Sequence, residues 1–181
     1  MNWHLSHRAD PRALALADRH YSRQKPGTPQ FVPPGSCLVL LTEKADALWV
    51  TSAPMPDYTR HAWAGAWICS FFRNESQILS SELIKQAVAA TRWYYEYRPL
   101  QGMVTFINTE KVRKKRDWGR CYRKAGFAKA KCPRHFDLCE KCNACKGLTE
   151  EGLIALQLLP ASMPAASPPM GATLDLFEEC V

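Results

Sequence analysis

No apolar run in this chain is long enough to span a bilayer, and its opening MNWHLSHRAD has none of the apolar stretch that a secretory signal needs. These absences argue against a membrane partner and against export, and the expectation is a cytoplasmic protein. Acid is missing where it would count most. Between Lys111 and Arg134 a single acid, Asp117, stands against eleven Lys or Arg, a local charge of +10 that exceeds the +7 of the whole chain. Lys and Arg are in turn missing from residues 161–181, so residues 1–160 carry +10 and the tail −3. A field of that sign draws polyanions, nucleic acid above all, through phosphate contacts and counterion release. Trp118, Gly119, Tyr122, Ala125, Gly126 and Phe127 are interleaved with the charge, as in a folded element and not a solvated basic tail.

What is present suits one domain with an appendage. The 46% of hydrophobic residues is ordinary for a chain that buries a core. A short strand over 3–7 precedes Asp10-Pro11, an N-cap acid followed by proline at the first helical position. The helix is expected to run to about residue 22, with Leu14, Ala17 and Tyr21 on one stripe. Prolines and glycines break residues 26–35 into a loop. Strands follow over 37–41, 47–52 and 63–72, then a helix from Ser80 or Ser81 to about 97. A strand over 103–107, a short helix over 119–125 closed by Gly126, and a strand over 152–159 complete the order β-α-β-β-β-α-β-α-β. The class is α/β (α+β), a mostly antiparallel sheet flanked by helices. Residues 161–172 read as a flexible Pro/Ala/Ser linker, and 173–181 as a tail peptide.

Four of the eight cysteines, Cys132, Cys139, Cys142 and Cys145, fall within 14 residues. Such a cluster in a chain without an export signal points to a metal site and not to disulfides. Four thiolates suit tetrahedral zinc, a structural site that would let an insertion over 129–147 fold with few apolar residues. An iron–sulfur cluster is the alternative, and His135 is a possible substitute ligand.

The element order resembles that of the GNAT superfamily of acyltransferases. The local match is the strand MVTFI ending in Asn108 and the helix carrying YRKAGF, Tyr122 to Phe127. GNAT proteins place Tyr-x-x-x-Gly-Phe there, and the tyrosine acts as acid for the leaving thiolate. They also hold coenzyme A pyrophosphate on a glycine loop after the fourth strand. Here that stretch is RNESQILSSE, with no glycine, so acetyl-coenzyme A is not the expected donor and the donor is left open. The chain is more specifically similar to phage DNA-modification proteins of the Mom family. His20-Tyr21-Ser22-Arg23, the SSELIKQAVAATRW helix and the TFIN…GRCYRKAGF block stand in that family's order.

The resemblance implies a GNAT-like catalytic domain over 1–160 that places a carbamoylmethyl (acetamido) group on adenine N6 in double-stranded DNA, protecting phage DNA from restriction. It gives catalytic roles to His20, Tyr21, Ser22 and Tyr122. The Mu member of the family has Asp where this chain has Asn108, so either Asp117 substitutes as base or Asn108 positions the substrate. Arg23, Arg73, Asn74, Lys111, Arg113, Lys114, Lys115, Arg116, Trp118, Arg120 and Arg123 are expected to contact donor or DNA. Trp63, Trp67 and Trp118 offer either π faces for a flipped base or core packing. In the tail, Leu174, Leu176 and Phe177 of TLDLF resemble the bacterial sliding-clamp binding peptide, which makes the clamp a candidate partner. Two other functions fit the same residues: a conventional GNAT acetyltransferase, and a zinc-containing protein that binds DNA without modifying it.

Overall fold

A computed structural model describes residues 1–32, 35–112, 117–134 and 142–172. Seven strands form one sheet in the order β1-β2-β3-β4-β5-β7-β6, with β1 (Trp3–Ser6), β2 (Cys37–Thr42), β3 (Ala47–Ser52), β4 (Trp67–Asn74), β5 (Met103–Ile107), β6 (Ala128–Lys129) and β7 (Ile154–Leu158). All neighbours are antiparallel except β4 and β5, which run parallel. Strands β2 and β3 are almost continuously buried, because helices cover both faces of the sheet. The α+β class with a mostly antiparallel sheet is therefore as the sequence suggests.

Helix α2 (Ser80–Tyr95) and the short α3 (Arg120–Lys124) pack on one face, over Leu40, Trp49, Trp67 and Met103. Helix α1 (Pro11–Asp18) covers the other face, over Val39, Leu41, Leu48, Val50 and Phe71. That second face continues beyond α1 as Trp63, Val104, Ala130, Ala144 and Ala155. Among the described residues no helix is long and apolar enough to cross a membrane.

Several expectations need correction. Helix α1 starts as expected, with Asp10 accepting the Arg12 N–H at 2.9 Å and Pro11 following it. It stops at Asp18, and its buried stripe is Ala13, Leu16 and Ala17, not Leu14, Ala17 and Tyr21. Tyr21 lies past the helix end and is exposed. Strand β4 begins at Trp67, since Trp63 opens a turn in which its carbonyl accepts the Ala66 N–H. The two-residue β6 had no signal of its own. Residues 161–172 are not a free linker. Met163 is buried in the α2-side core, Ser167 N–H donates to the Ala89 carbonyl, and Met170 N–H donates to the Trp3 carbonyl at 2.7 Å. Backbone donors and one well-placed methionine are enough to lay a Pro-rich segment along a preformed surface. The tail with Leu174, Leu176 and Phe177 lies outside the described residues.

Two features shape the middle of the sheet. Between β3 and β4 the register runs Val50 to Phe71 and then Thr51 to Cys69, so Ser70 is an extra residue, a bulge. The alternation of β4 slips there. Cys69 and Phe72 both belong to the α2 side while Phe71 packs on the α1 side. Gly119 then enters α3 at φ +67°, where an added Cβ would sit 2.4 Å from Ile107 Cδ1 and 2.6 Å from Leu156 Cδ1. Glycine is needed there for α3 to lie against β5 and β7.

Candidate active site

Strands β4 and β5 pair only through Trp67–Cys69 and Met103–Thr105. Beyond that point the ladder ends, and a cavity of about 590 Å³ opens between them. It is lined by β4 residues of both faces (Ile68 to Phe72), by Thr105 to Ile107 of β5 and Asn108 just after it, by His20, Tyr21 and Ser22, and by Gly119, Cys121 and Tyr122 at α3. The opening thus gives access to the gap from the α1 side and from the α3 side. The sequence motif HYS and the tyrosine of YRKAGF, a hundred residues apart, meet across it.

His20 sits one residue past the α1 C-cap, its ring 4.0 Å from Phe71 and 4.5 Å from Tyr21, the latter stacked at 24°. Its Nδ1 accepts the Ser22 backbone N–H at 3.2 Å and lies 2.7 Å from Ser22 Oγ. An Nδ1 that accepts an N–H is unprotonated, so the neutral ring carries its proton on Nε2 and the Ser22 hydroxyl donates to Nδ1. Burial, followed by the nearby Arg73 charge, lowers the His20 pKa to about 4. The Tyr21 ring is exposed along one side, while its phenol oxygen accepts a hydrogen bond from the Asn108 backbone and partial desolvation raises its pKa.

On the opposite wall the Tyr122 hydroxyl is 3.4 Å from Cys69 Sγ and also hydrogen-bonds Thr105. Burial lifts the Tyr122 phenol well above its ordinary value and Cys69 to about 12, so both stay protonated. Tyr122 keeps a hydrogen that it can donate in a hydrogen bond, and Cys69 is not a thiolate nucleophile. Cys69, Thr105, Ser70 and Phe71 are site residues that the sequence did not flag. The only local cue was a cysteine and a serine within the apolar run WICSFF.

Other expected site residues are engaged elsewhere. Asn108 Oδ1 accepts the Glu110 N–H at 3.0 Å and the Lys111 N–H at 3.3 Å, which fixes the turn after β5 and leaves the side chain a positioning role. Asp117, the other candidate base, is not among the residues that line the main cavity. It pairs with Arg120 at 3.6 Å and with Arg123, and lines a depression of about 440 Å³ beside the start of α2 that shares Val112, Gly119 and Cys121 with the main cavity. Exposed Trp118, Arg120 and Lys124 line the same depression. Lys111 lines the main cavity.

Arg73 binds Glu75 at 2.6 Å and the Arg19 carbonyl at 2.6 Å, and Arg19 grips the same carboxylate. Asn74 caps the turn into α2 through Ile78, Ser80 and Ser76. Arg23 gives its donors to Asp18, Gln30 and Thr28. These three therefore shape the site and do not present themselves to phosphate. Trp63 and Trp67 are fully buried, so neither can stack on a flipped base. Arg113, Lys114, Lys115 and Arg116 lie outside the described residues.

Three of the four cysteines come together. The Sγ atoms of Cys132, Cys142 and Cys145 all lie within 4.8 Å of one another, with Cys132 and Cys142 at 3.9 Å. Zinc–sulfur bonds of about 2.3 Å at tetrahedral angles put sulfurs roughly 3.8 Å apart, close to the Cys132–Cys142 separation, so this group could hold a metal ion. Cys139 and His135 lie outside the described residues. The group rests on the α1 face through Cys132 and Cys142, which pack on the cluster of Trp63 and Ala144, while the Trp63 indole N–H donates to the Lys131 carbonyl at 2.7 Å. No family model, no curated protein and no solved structure matches the chain.

Proposed function

We propose that this protein is a GNAT-like transferase that modifies the adenine N6 amine of DNA with a carbamoylmethyl (acetamido) or similar small acyl-like group. The observation that carries the reading is the gap between β4 and β5, lined by His20, Tyr21 and Ser22 on one side and Tyr122 on the other. Adenine N6 is a poor nucleophile because its lone pair is delocalised, so attack requires a proton acceptor at hand. In the reading, N6 bonds to the transferred carbon of an activated donor while the bond from that carbon to the leaving group breaks. The N6 proton passes to Ser22 Oγ as the Ser22 proton moves to His20 Nδ1. The Tyr122 phenol supports the departing group with a hydrogen bond or its proton. His20 is suited because its Nδ1 stays unprotonated down to about pH 4.

The run of Lys and Arg in the sequence over residues 111–124 supports duplex DNA as the partner. The cysteine group is read as a structural zinc site of Cys132, Cys139, Cys142 and Cys145, with an iron–sulfur cluster as the other candidate. A conventional coenzyme A-dependent acetyltransferase is the second reading. It is favoured by the depression beside α2, where the helix start has no side-chain cap and Arg120 and Lys124 stand nearby.

Mass spectrometry of nucleosides from DNA of bacteria expressing the protein tests the proposal. A new deoxyadenosine species is expected with the intact chain and not with His20→Ala. Unmodified DNA together with saturable coenzyme A binding would replace the first reading by the second.

A further inference from the structure

A second cavity, of about 510 Å³, lies on the α1 side and shares Ser22, Ser70 and Phe71 with the main one. Its outer wall is the loop after α1, which carries few apolar residues yet has a defined shape. Arg23 sets that shape. Its Nε binds Asp18 Oδ1 at 2.9 Å, Nη1 donates to the Gln30 carbonyl at 2.9 Å, and Nη2 donates to the Thr28 carbonyl at 2.6 Å and to Thr28 Oγ1 at 3.0 Å. Asp18 Oδ2 takes the Gly27 N–H at 2.9 Å, and the Thr28 hydroxyl donates to the Lys25 carbonyl at 2.8 Å. A guanidinium side chain with 6% exposure thus closes the loop from inside. The cavity is preformed, as ligand sites mostly are.

The lining is of one chemical kind. Phe31 and Phe71 give an apolar aromatic floor, and Val32 adds to it. Gln24 and Gln30 put two carboxamides at the rim, and Lys25 adds one ammonium. A carboxamide matches the adjacent donor and acceptor of an adenine edge, the N6 amine and N7. An aromatic floor accepts the flat face of a base. Ser22, Phe71 and the bulged Ser70 form the wall shared with the main cavity, and Ser22 Oγ lies 2.7 Å from His20 Nδ1 on the main cavity's side. A carboxamide oxygen takes only one of the two N6 hydrogens, so a base held in the second cavity keeps the other for the Ser22 hydroxyl of the shared wall.

We infer that this second cavity is the acceptor pocket, taking a purine base of the adenine type between the Phe31/Phe71 floor and the carboxamides of Gln24 and Gln30, with Arg23 as its positioning residue. The inference rests on the proposed transferase reading for the role of the base, but the binding site can be tested apart from it.

The experiment is an NMR titration of the labelled full chain with deoxyadenosine monophosphate, and with deoxycytidine monophosphate as control. The adenine nucleotide is expected to shift the side-chain amide signals of Gln24 and Gln30 and the backbone of residues 22–31, and the cytosine nucleotide to shift them less. A Gln24→Ala, Gln30→Ala variant removes only exposed groups, so its melting temperature should stay unchanged while adenine binding weakens about five-fold or more. Unmoved carboxamide signals, or a variant that binds as well as the parent, would overturn the inference. The same variant in the nucleoside assay separates the two claims. DNA modified as fully as by the parent would reject the pocket and keep the transferase. Adenine bound at these residues, with DNA left unmodified by the parent, would keep the pocket and reject the transferase.

Discussion

Two segments on the α1 face are short of apolar residues and are held by opposite means. The loop after α1 is closed by one buried guanidinium that spends its donors on Asp18 and on two backbone carbonyls. The segment that carries the cysteines has Ala130 and Ala144 as its buried apolar anchors and gathers three thiols within 4.8 Å of one another. The first is an internal network that needs only the chain. The second is arranged around a point where an ion fits. One wall of the site should therefore be independent of metal and the other dependent on it, although both lie on the same sheet.

Removing the metal should break this comparison most strongly. Structural zinc sites contribute about 10–16 kcal/mol of apparent binding energy that is also folding energy. The purified protein should contain about one zinc per chain. Chelation, or Cys142→Ser, should abolish hydrogen-exchange protection over 142–149 while β2, β3 and α2 keep theirs. Metal analysis with neither zinc nor iron would remove this side of the contrast.

Arg23→Ala attacks the other side. It strips several charge-assisted hydrogen bonds, leaves the Gln30 and Thr28 carbonyls without their donor, and should lower the melting temperature by roughly 5–10 °C. Proteolysis should then cut within 23–30 first, with the metal content unchanged. An equal loss of metal would mean that the two walls are coupled.

The unequal legibility of the two segments in the sequence has a physical cause. Four cysteines in 14 residues announce a metal site because few other roles need thiols at that density. An arginine does not announce whether it faces a phosphate or its own backbone. Arg23, Arg73 and Asn74 carried the right residue types for substrate binding and are spent on internal carbonyls and carboxylates instead. The strands and α2 were legible because their apolar periods are long. The end of α1 was not, since Asp18 and Arg23 terminate it through a contact five residues apart that no periodicity encodes. Cys69 and Thr105 join the site only because β4 and β5 pair and then part, which is a property of the sheet and not of either strand. The meeting of His20 with Tyr122 was implied by the family resemblance, not by any local pattern.

A smaller effect concerns the histidine of the site. His20 has a folded pKa of about 4 against an ordinary 6.5, with desolvation as the leading cause. Below pH 6.5 the unfolded chain takes up a proton that the folded one refuses, so this contribution favours folding above 6.5 and is lost as pH falls toward 4. The loss is on the order of 2 kcal/mol. His20→Gln should flatten the stability profile between pH 6.5 and 4, measured by denaturant unfolding. If the transfer reading holds, the rate should show no fall attributable to His20 between pH 8 and 5. A rate that halves near pH 6.5 would mean that His20 titrates as an exposed imidazole.

The smallest change tests the seam between the two kinds of wall. The Trp63 indole N–H reaches across to the Lys131 carbonyl at 2.7 Å, and its ring lies 6.0 Å from Phe106, which lines the main cavity. Trp63 shares this task with Gln157 of β7, whose Oε1 accepts the Lys131 N–H at 3.2 Å. Trp63→Phe keeps most of the apolar area and removes that one donor, leaving a carbonyl unpaired, for about 1 kcal/mol of stability. The size of the effect matters less than its dependence on metal. With the ion bound, thiolates and indole fix the same segment twice, so the loss should be partly masked. After chelation the indole and the Gln157 side chain hold Lys131 without the ion's help, and the same substitution should then speed exchange at Ala130, whose N–H donates to the Ala155 carbonyl at 3.0 Å. A substitution equally harmful in both states would show that the ion and the tryptophan act on separate parts of the molecule.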